Sequence, residues 1–162
     1  MYIVTSGSKY LDIDAYAGII AYAEFFRING ISAQAVSTAK FNNSITSTLL
    51  KLDVKLGEYQ KNDDDKFILV DISNEKYFDK IVDKSNIIEI IDHHIGFEEY
   101  WKNKLGEKSH IEFIGSVATI IVELYEKNNI LDKMSKEIAV LLMCAILDNT
   151  LNFKAKVTTR KG

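Results

Sequence analysis

Ile87-Ile88-Glu89-Ile90-Ile91-Asp92-His93-His94 is the stretch on which the reading of this chain turns. It opens as an apolar, β-branched run of strand length and closes on three ionisable side chains. Phe67-Ile68-Leu69-Val70 repeats the pattern, closed by Asp71. Outward from these two strands, Met1–Ser6 is a short β-type run ending in a small-residue turn at Gly7 and Ser8. Asp14–Ile28 reads as a helix, with Ala17, Ile20, Ala21, Ala23 and Phe26 facing inward and Asn29-Gly30 ending it. Ile31–Val36 is a further strand and Ile111–Ile114 a short fifth one. Helices are expected over Asn42–Leu52, around Tyr77–Asp83, and over Ser116–Asn128 and Ser135–Asn149, with Lys61–Asp65 a solvated connector. Strands separated by helical crossovers imply an α/β fold, a mostly parallel five-stranded sheet with helices on both faces.

Composition agrees with one soluble domain spanning residues 1–162. The chain is 47% hydrophobic and 27% charged, long enough for a proper core, and shows no repeat or dividing linker. A net charge of −3 and the lack of a basic, aromatic-interleaved stripe argue against a long nucleic-acid track. Cys144 lies alone in the apolar run Ile138–Leu147, so it is expected as a buried core thiol in a reducing cytoplasm. No signal peptide is visible, and no stretch approaches the roughly 18 apolar residues of a membrane span.

In sheets of this kind, ligands sit beyond the carboxyl ends of the strands. Asp12 and Asp14 follow the first strand through a short turn, Asp71 closes the third, and Asp92-His93-His94 closes the fourth. Asp148 stands at the end of the last helix, in Ile146-Leu147-Asp148-Asn149-Thr150. Each alone is an ordinary turn or cap residue. Four such clusters at one sheet edge point instead to a metal site. Carboxylates with an imidazole suit Mn2+, with Mg2+, Co2+ or Zn2+ as alternatives. A central carboxylate can bridge two ions about 3.5–4 Å apart, which activate water and neutralise charge on phosphoryl oxygens.

Asp92-His93-His94 resembles the motif of the DHH phosphoesterase superfamily. The order Gly7-Ser8-Lys9-Tyr10-Leu11-Asp12-Ile13-Asp14, Leu69-Val70-Asp71, Asp92-His93-His94, Leu147-Asp148-Asn149-Thr150 resembles its four motifs in sequence. Glu112–Thr119 and Asn152-Phe153-Lys154 are similar to the branch holding manganese-dependent (family II) inorganic pyrophosphatases and prune or exopolyphosphatase-like proteins. The resemblance implies a metal-dependent hydrolase of pyrophosphate or short polyphosphate, using two Mn2+ ions. In its terms Asp71 bridges the ions, Asp12 binds one, and Asp14, His93 and Asp148 bind the other. His94 faces the substrate phosphate as an electrophilic or proton-donating partner. Asp92 either fixes a histidine tautomer or is a plain loop carboxylate. Gly115 and Ser116 either approach phosphate or merely cap a helix, and Lys154 is expected near substrate. His110 is expected at a surface or edge.

Two departures stand out. Ser8 occupies the position where the pyrophosphatases carry a histidine ligand. Family members also carry a C-terminal domain that clamps the substrate, and this chain stops about where a linker to it would start. Two other functions compete: a phosphodiesterase acting on short oligonucleotides or cyclic dinucleotides, and a metal- or nucleotide-binding regulatory module with weakened catalysis. Homodimerisation is compatible with the resemblance.

Overall fold

Alternating side chains on short parallel strands build two apolar faces, and the strands run in one direction throughout. The computed structural model describes residues 1–160; Lys161 and Gly162, the last of the expected domain, lie outside the described residues. Strands β1 (Tyr2–Thr5), β2 (Ala33–Ala35), β3 (Lys66–Val70), β4 (Ile87–Asp92) and β5 (Ser109–Ile111) form one sheet in the order β2-β1-β3-β4-β5. Every pairing in it is parallel. Helices α1 (Ile13–Ile28), α2 (Glu98–Leu105), α3 (Val117–Lys127) and α4 (Lys136–Asn149) cover it.

The coverage is uneven. Val4, Ile68, Val70 and Ile91 meet the large cluster formed with α1, α3 and α4. Ile3, Phe67, Leu69 and Ile90 point the other way and pack with Phe78 and with Trp101 of α2. Trp101 is fully buried, and its indole N–H donates to Ser73 O at 2.7 Å. Helix α1 packs on the sheet beside α3, and its approach is set by Gly18. A Cβ there would stand 2.7 Å from Val70 Cγ1, so only glycine allows this contact.

Four local expectations are corrected. Asn42–Leu52 is no helix but a looped segment with one 3-10 turn at Leu49–Lys51. Asn42 Oδ1 accepts from Ser44 N and Oγ, and Ser44 Oγ in turn accepts from Ile13 N at 2.8 Å. Those side-chain bonds compete with helical ones and fold the loop over the start of α1. Around Tyr77–Asp83 the chain also stays irregular, because buried Asp79 accepts from Thr38 N, Thr38 Oγ1 and Ile81 N. The fifth strand falls at Ser109–Ile111 rather than Ile111–Ile114, where it pairs with Ile90–Asp92. Helix α2 was not foreseen, and Cys144 is half-buried at the edge of the core, not sealed within it. No helix among the described residues is long and apolar enough to cross a membrane.

Candidate metal centre

The strand order reverses between β1 and β3, and a cleft of about 290 Å³ opens there, at the carboxyl ends of the strands. Ser6, Gly7, Lys9, Tyr10, Asp12, Asp71 and His94 line it. Asp12 is the N-cap of α1; its Oδ1 accepts from Ala15 N at 3.0 Å. Asp14 lies in the first turn of the same helix, fully buried. Asp71 follows β3 with φ at +61°, its N–H held by Ile91 O at 2.8 Å. Aspartate tolerates this left-handed conformation better than most residues.

Asp92, buried at the end of β4, organises both histidines. Its Oδ1 accepts from His93 N at 2.8 Å and His94 N at 3.1 Å, and lies 2.8 Å from His94 Nδ1. Asp92 is thus buried and bonded to both histidines rather than a solvated loop carboxylate. His93 Nδ1 lies 2.9 Å from Ile114 O. A carbonyl only accepts, so Nδ1 carries the hydrogen and Nε2 is left for the site. That Nε2 stands 3.2 Å from Asp71 Oδ1 and 3.6 Å from Asp14 Oδ2.

Asp71 Oδ1 is buried and has no hydrogen-bond partner. Burial pushes the Asp71 carboxyl well above its usual range, against the pull of His93, and the charges of Asp14 and Asp12 add to the rise. Burial works against a charged His93, but Asp71, Asp14 and the Ile114 carbonyl outweigh it and hold the ring up at about 9. Asp14 is raised chiefly by burial, despite His93 and donors from Ser116, Val117 and Ala118. For His94, the bond to Asp92 raises the ring, burial opposing. Donor atoms of Asp71, His93 and His94 all lie within 4.8 Å of one another. An orphaned buried carboxylate oxygen facing an imidazole nitrogen is a donor set that fits a divalent cation once the ring gives up its proton.

Asp12, Asp14, Asp71, His93 and His94 thus gather at one place, with Asp92 behind the histidines. The other candidates do not join them at the cleft. Ser8 is exposed, and its Oγ–H donates to Tyr77 O at 3.3 Å. Ser116 is buried as the N-cap of α3 and donates to Asp14 Oδ1 at 2.7 Å, with Gly115 buried just before it. Lys154 is exposed beyond α4. Asp148 is exposed as well, and its neighbour Asn149 is the residue that reaches the group, donating Nδ2–H to Asp14 Oδ2. His110 is half-buried at the edge strand, 3.3 Å from Glu89. Sequence reasoning missed Asn149 and the cleft residue Lys9. Helical phase was the available signal for the first: at 100° per residue, Asn149 lies about 30° from the mean direction of Ile138, Leu141, Leu142 and Ala145, and Asp148 about 70°.

Known proteins resemble this chain in sequence and in fold. The manganese-dependent inorganic pyrophosphatase of Bacillus subtilis is 30% identical over 166 residues, covering 97% of this chain and 50% of the relative. A candidate family II inorganic pyrophosphatase of Methanococcus jannaschii superposes with a TM-score of 0.70 at 27% identity, over 99% of this chain and 52% of that one. An exopolyphosphatase-related protein of Bacteroides fragilis reaches 0.75 at 18% identity, over 99% and 49%, which speaks to the fold alone. The chain spans about half the length of the curated relatives it matches. The family described as DHH family, N-terminal domain, matches residues 2–146, from the first strand into the last helix. With the parallel sheet, the Asp92-His93-His94 strand end and this match in agreement, the chain belongs to the DHH family as its N-terminal domain.

Proposed function

We propose that this chain is the metal-binding part of a hydrolase that cleaves phosphoanhydride bonds, with pyrophosphate or short polyphosphate as substrate and Mn2+ as cofactor. The observation that carries the reading is the opposition of His93 Nε2 and the partnerless Asp71 Oδ1 beside an open cleft. Relatives named as manganese-dependent pyrophosphatases support both the metal and the substrate. A divalent cation held there supplies a water of lowered pKa and neutralises charge on phosphoryl oxygens.

The protein's own groups do the rest. Asp71 and His93 present the donors, and Asp12 adds negative charge at the cleft wall. Asp92 orients His94 so that Nε2 is the ring nitrogen left to meet substrate. Its bond to Asp92 favours the protonated ring, so His94 donates to a phosphate oxygen. In hydrolysis a water oxygen gives up a proton as it bonds to one phosphorus, the bridging P–O bond breaks, the departing phosphate takes a proton from His94, and the proton shed by the water restores His94 through solvent. Lys9 adds positive charge at the rim. The resemblance implies two ions; the open donors favour one, at Asp71 and His93.

The test is phosphate release from pyrophosphate and tripolyphosphate with and without Mn2+, using Asp71→Asn as control and a dinucleotide as competing substrate. Metal-dependent release abolished by that substitution supports the reading, whereas cleavage of the dinucleotide alone transfers it to a phosphodiesterase. One observation favours a regulatory module instead: Ser8 turns to Tyr77 O and gives the site nothing. Mn2+ binding without turnover of any of the three compounds is the outcome that reading expects.

A further inference from the structure

Two buried carboxylates meet at this centre, and their surroundings differ. Asp71 lines the cleft and keeps an oxygen without a partner. Asp14 lies off the cleft lining, and both of its oxygens are taken. Oδ1 accepts from Ser116 Oγ at 2.7 Å and Ala118 N at 3.1 Å. Oδ2 accepts from Val117 N at 2.9 Å and from Asn149 Nδ2. A carboxylate offers roughly four lone-pair sites, and here four protein donors fill them. Three of those donors stand at the start of α3, the hydroxyl of its N-cap Ser116 and the amides of Val117 and Ala118, which lack helical partners where the helix dipole stabilises an anion.

We propose that Asn149 stands in for a second cation: the amide fills the last open position of Asp14, and the chain holds a single divalent ion, on Asp71 and His93. This rests on the metal-binding reading above and concerns how many ions the site takes. The chemistry of the side chain decides it. An amide donates a hydrogen bond to Asp14 and needs no ion. A carboxylate at the same place would set a second anion against Asp14 Oδ2, in a fully buried setting, and would require a cation between them. The acidic neighbour that could ligate, Asp148, is exposed one position along α4.

The experiment is Mn2+ titration of the 162-residue chain and of Asn149→Asp by calorimetry, with electron paramagnetic resonance on the same samples. The unsubstituted chain is expected to take one ion and give an uncoupled Mn2+ spectrum. Asn149→Asp is expected to take two, with spin coupling between them. Asn149→Ala, which frees one lone pair without adding a charge, is expected to take a second ion at least about tenfold more weakly than the aspartate variant; it decides the matter if Asn149→Asp fails to fold. Two ions of similar affinity in the unsubstituted chain overturn the inference and leave the hydrolase reading standing. No ion in the unsubstituted chain overturns both. A folded Asn149→Asp that still takes one ion, or a folded Asn149→Ala that does so, overturns the role given to Asn149.

Discussion

His93 Nε2 faces Asp71 Oδ1 across 3.2 Å, and no hydrogen bond is aligned between them. The ring cannot turn away, because Nδ1–H is committed to Ile114 O. Either a proton on Nε2 or a cation must reconcile the two groups, so protons and metal compete for one place.

That competition sets a pH dependence. The folded His93 value of about 9 exceeds the ordinary 6.5, with Asp71 and Asp14 outweighing burial. A raised value stabilises fully below 6.5 and loses that contribution as pH climbs through 9; the raised Asp71 carboxyl acts in the same direction. In chelator, the melting temperature should therefore fall between pH 6.5 and 9, while stabilisation by Mn2+ grows over the same interval. Melting curves with chelator and with Mn2+ measure both. A metal-free melting temperature that rises with pH across this range contradicts the assignment.

The backbone at Asp71 separates two substitutions. At φ +61°, asparagine keeps the conformation at small cost, whereas alanine loses about 1 kcal/mol more. Both should lower Mn2+ affinity by at least about 100-fold, since alanine removes the ligating oxygens and asparagine removes the negative charge. Urea denaturation in chelator compares the folds, and calorimetry compares the binding. Equal stability of the two variants would show that the left-handed turn carries no strain.

Gly18→Ala should destabilise despite the better helix propensity of alanine. The new Cβ meets Val70 Cγ1 at 2.7 Å and Ile121 Cδ1 at 3.3 Å, both on well-buried side chains. Overpacking of this kind costs about 1–3 kcal/mol, against a gain of about 1 kcal/mol in propensity. A urea midpoint at or above that of the unsubstituted chain would refute the close approach.

Glu89 governs the acid side. It is buried on β4, accepting from Tyr22 OH at 2.5 Å and lying 3.3 Å from both Lys108 and His110. Burial alone would raise its carboxyl; bonds from His110 and Tyr22 and the charge of Lys108 outweigh that and lower it. A lowered value gives stability that is present above 4.5 and lost as pH falls through the folded value. Glu89→Gln should flatten acid unfolding below that point, read by circular dichroism. An unchanged acid limb would remove Glu89 from the explanation.

Local patterning carried much of this protein. Phe67–Val70 and Ile87–Ile91 are short apolar runs that end in charge, and the strands appear there because such runs are stable only when buried on both faces. The carboxyl-end rule then led from strand to site at Asp71, His93 and His94. Asn42–Leu52 and Tyr77–Asp83 were misread because the side chains of Ser44 and Asp79 accept from Ile13 N and from Thr38, far away in the chain, while Asn42 and Asp79 accept from backbone amides of their own segments. Asp148 was preferred to Asn149 because residue type was weighed above helical phase.

Residue order, then, sufficed for the parallel sheet and for the arrival of Asp12, Asp14, Asp71, His93 and His94 at its carboxyl edge, since both follow from short-range periodicity, but not for the choice between Asp148 and Asn149. Packing settled which of those groups keeps a lone pair open. Asp14 is saturated by Ser116, 102 residues away, and by Asn149, 135 residues away, while Asp71 Oδ1 keeps no partner. Hydrogen-bond saturation depends on donors delivered by α3 and α4 across the fold, and no local pattern around Asp14 records them.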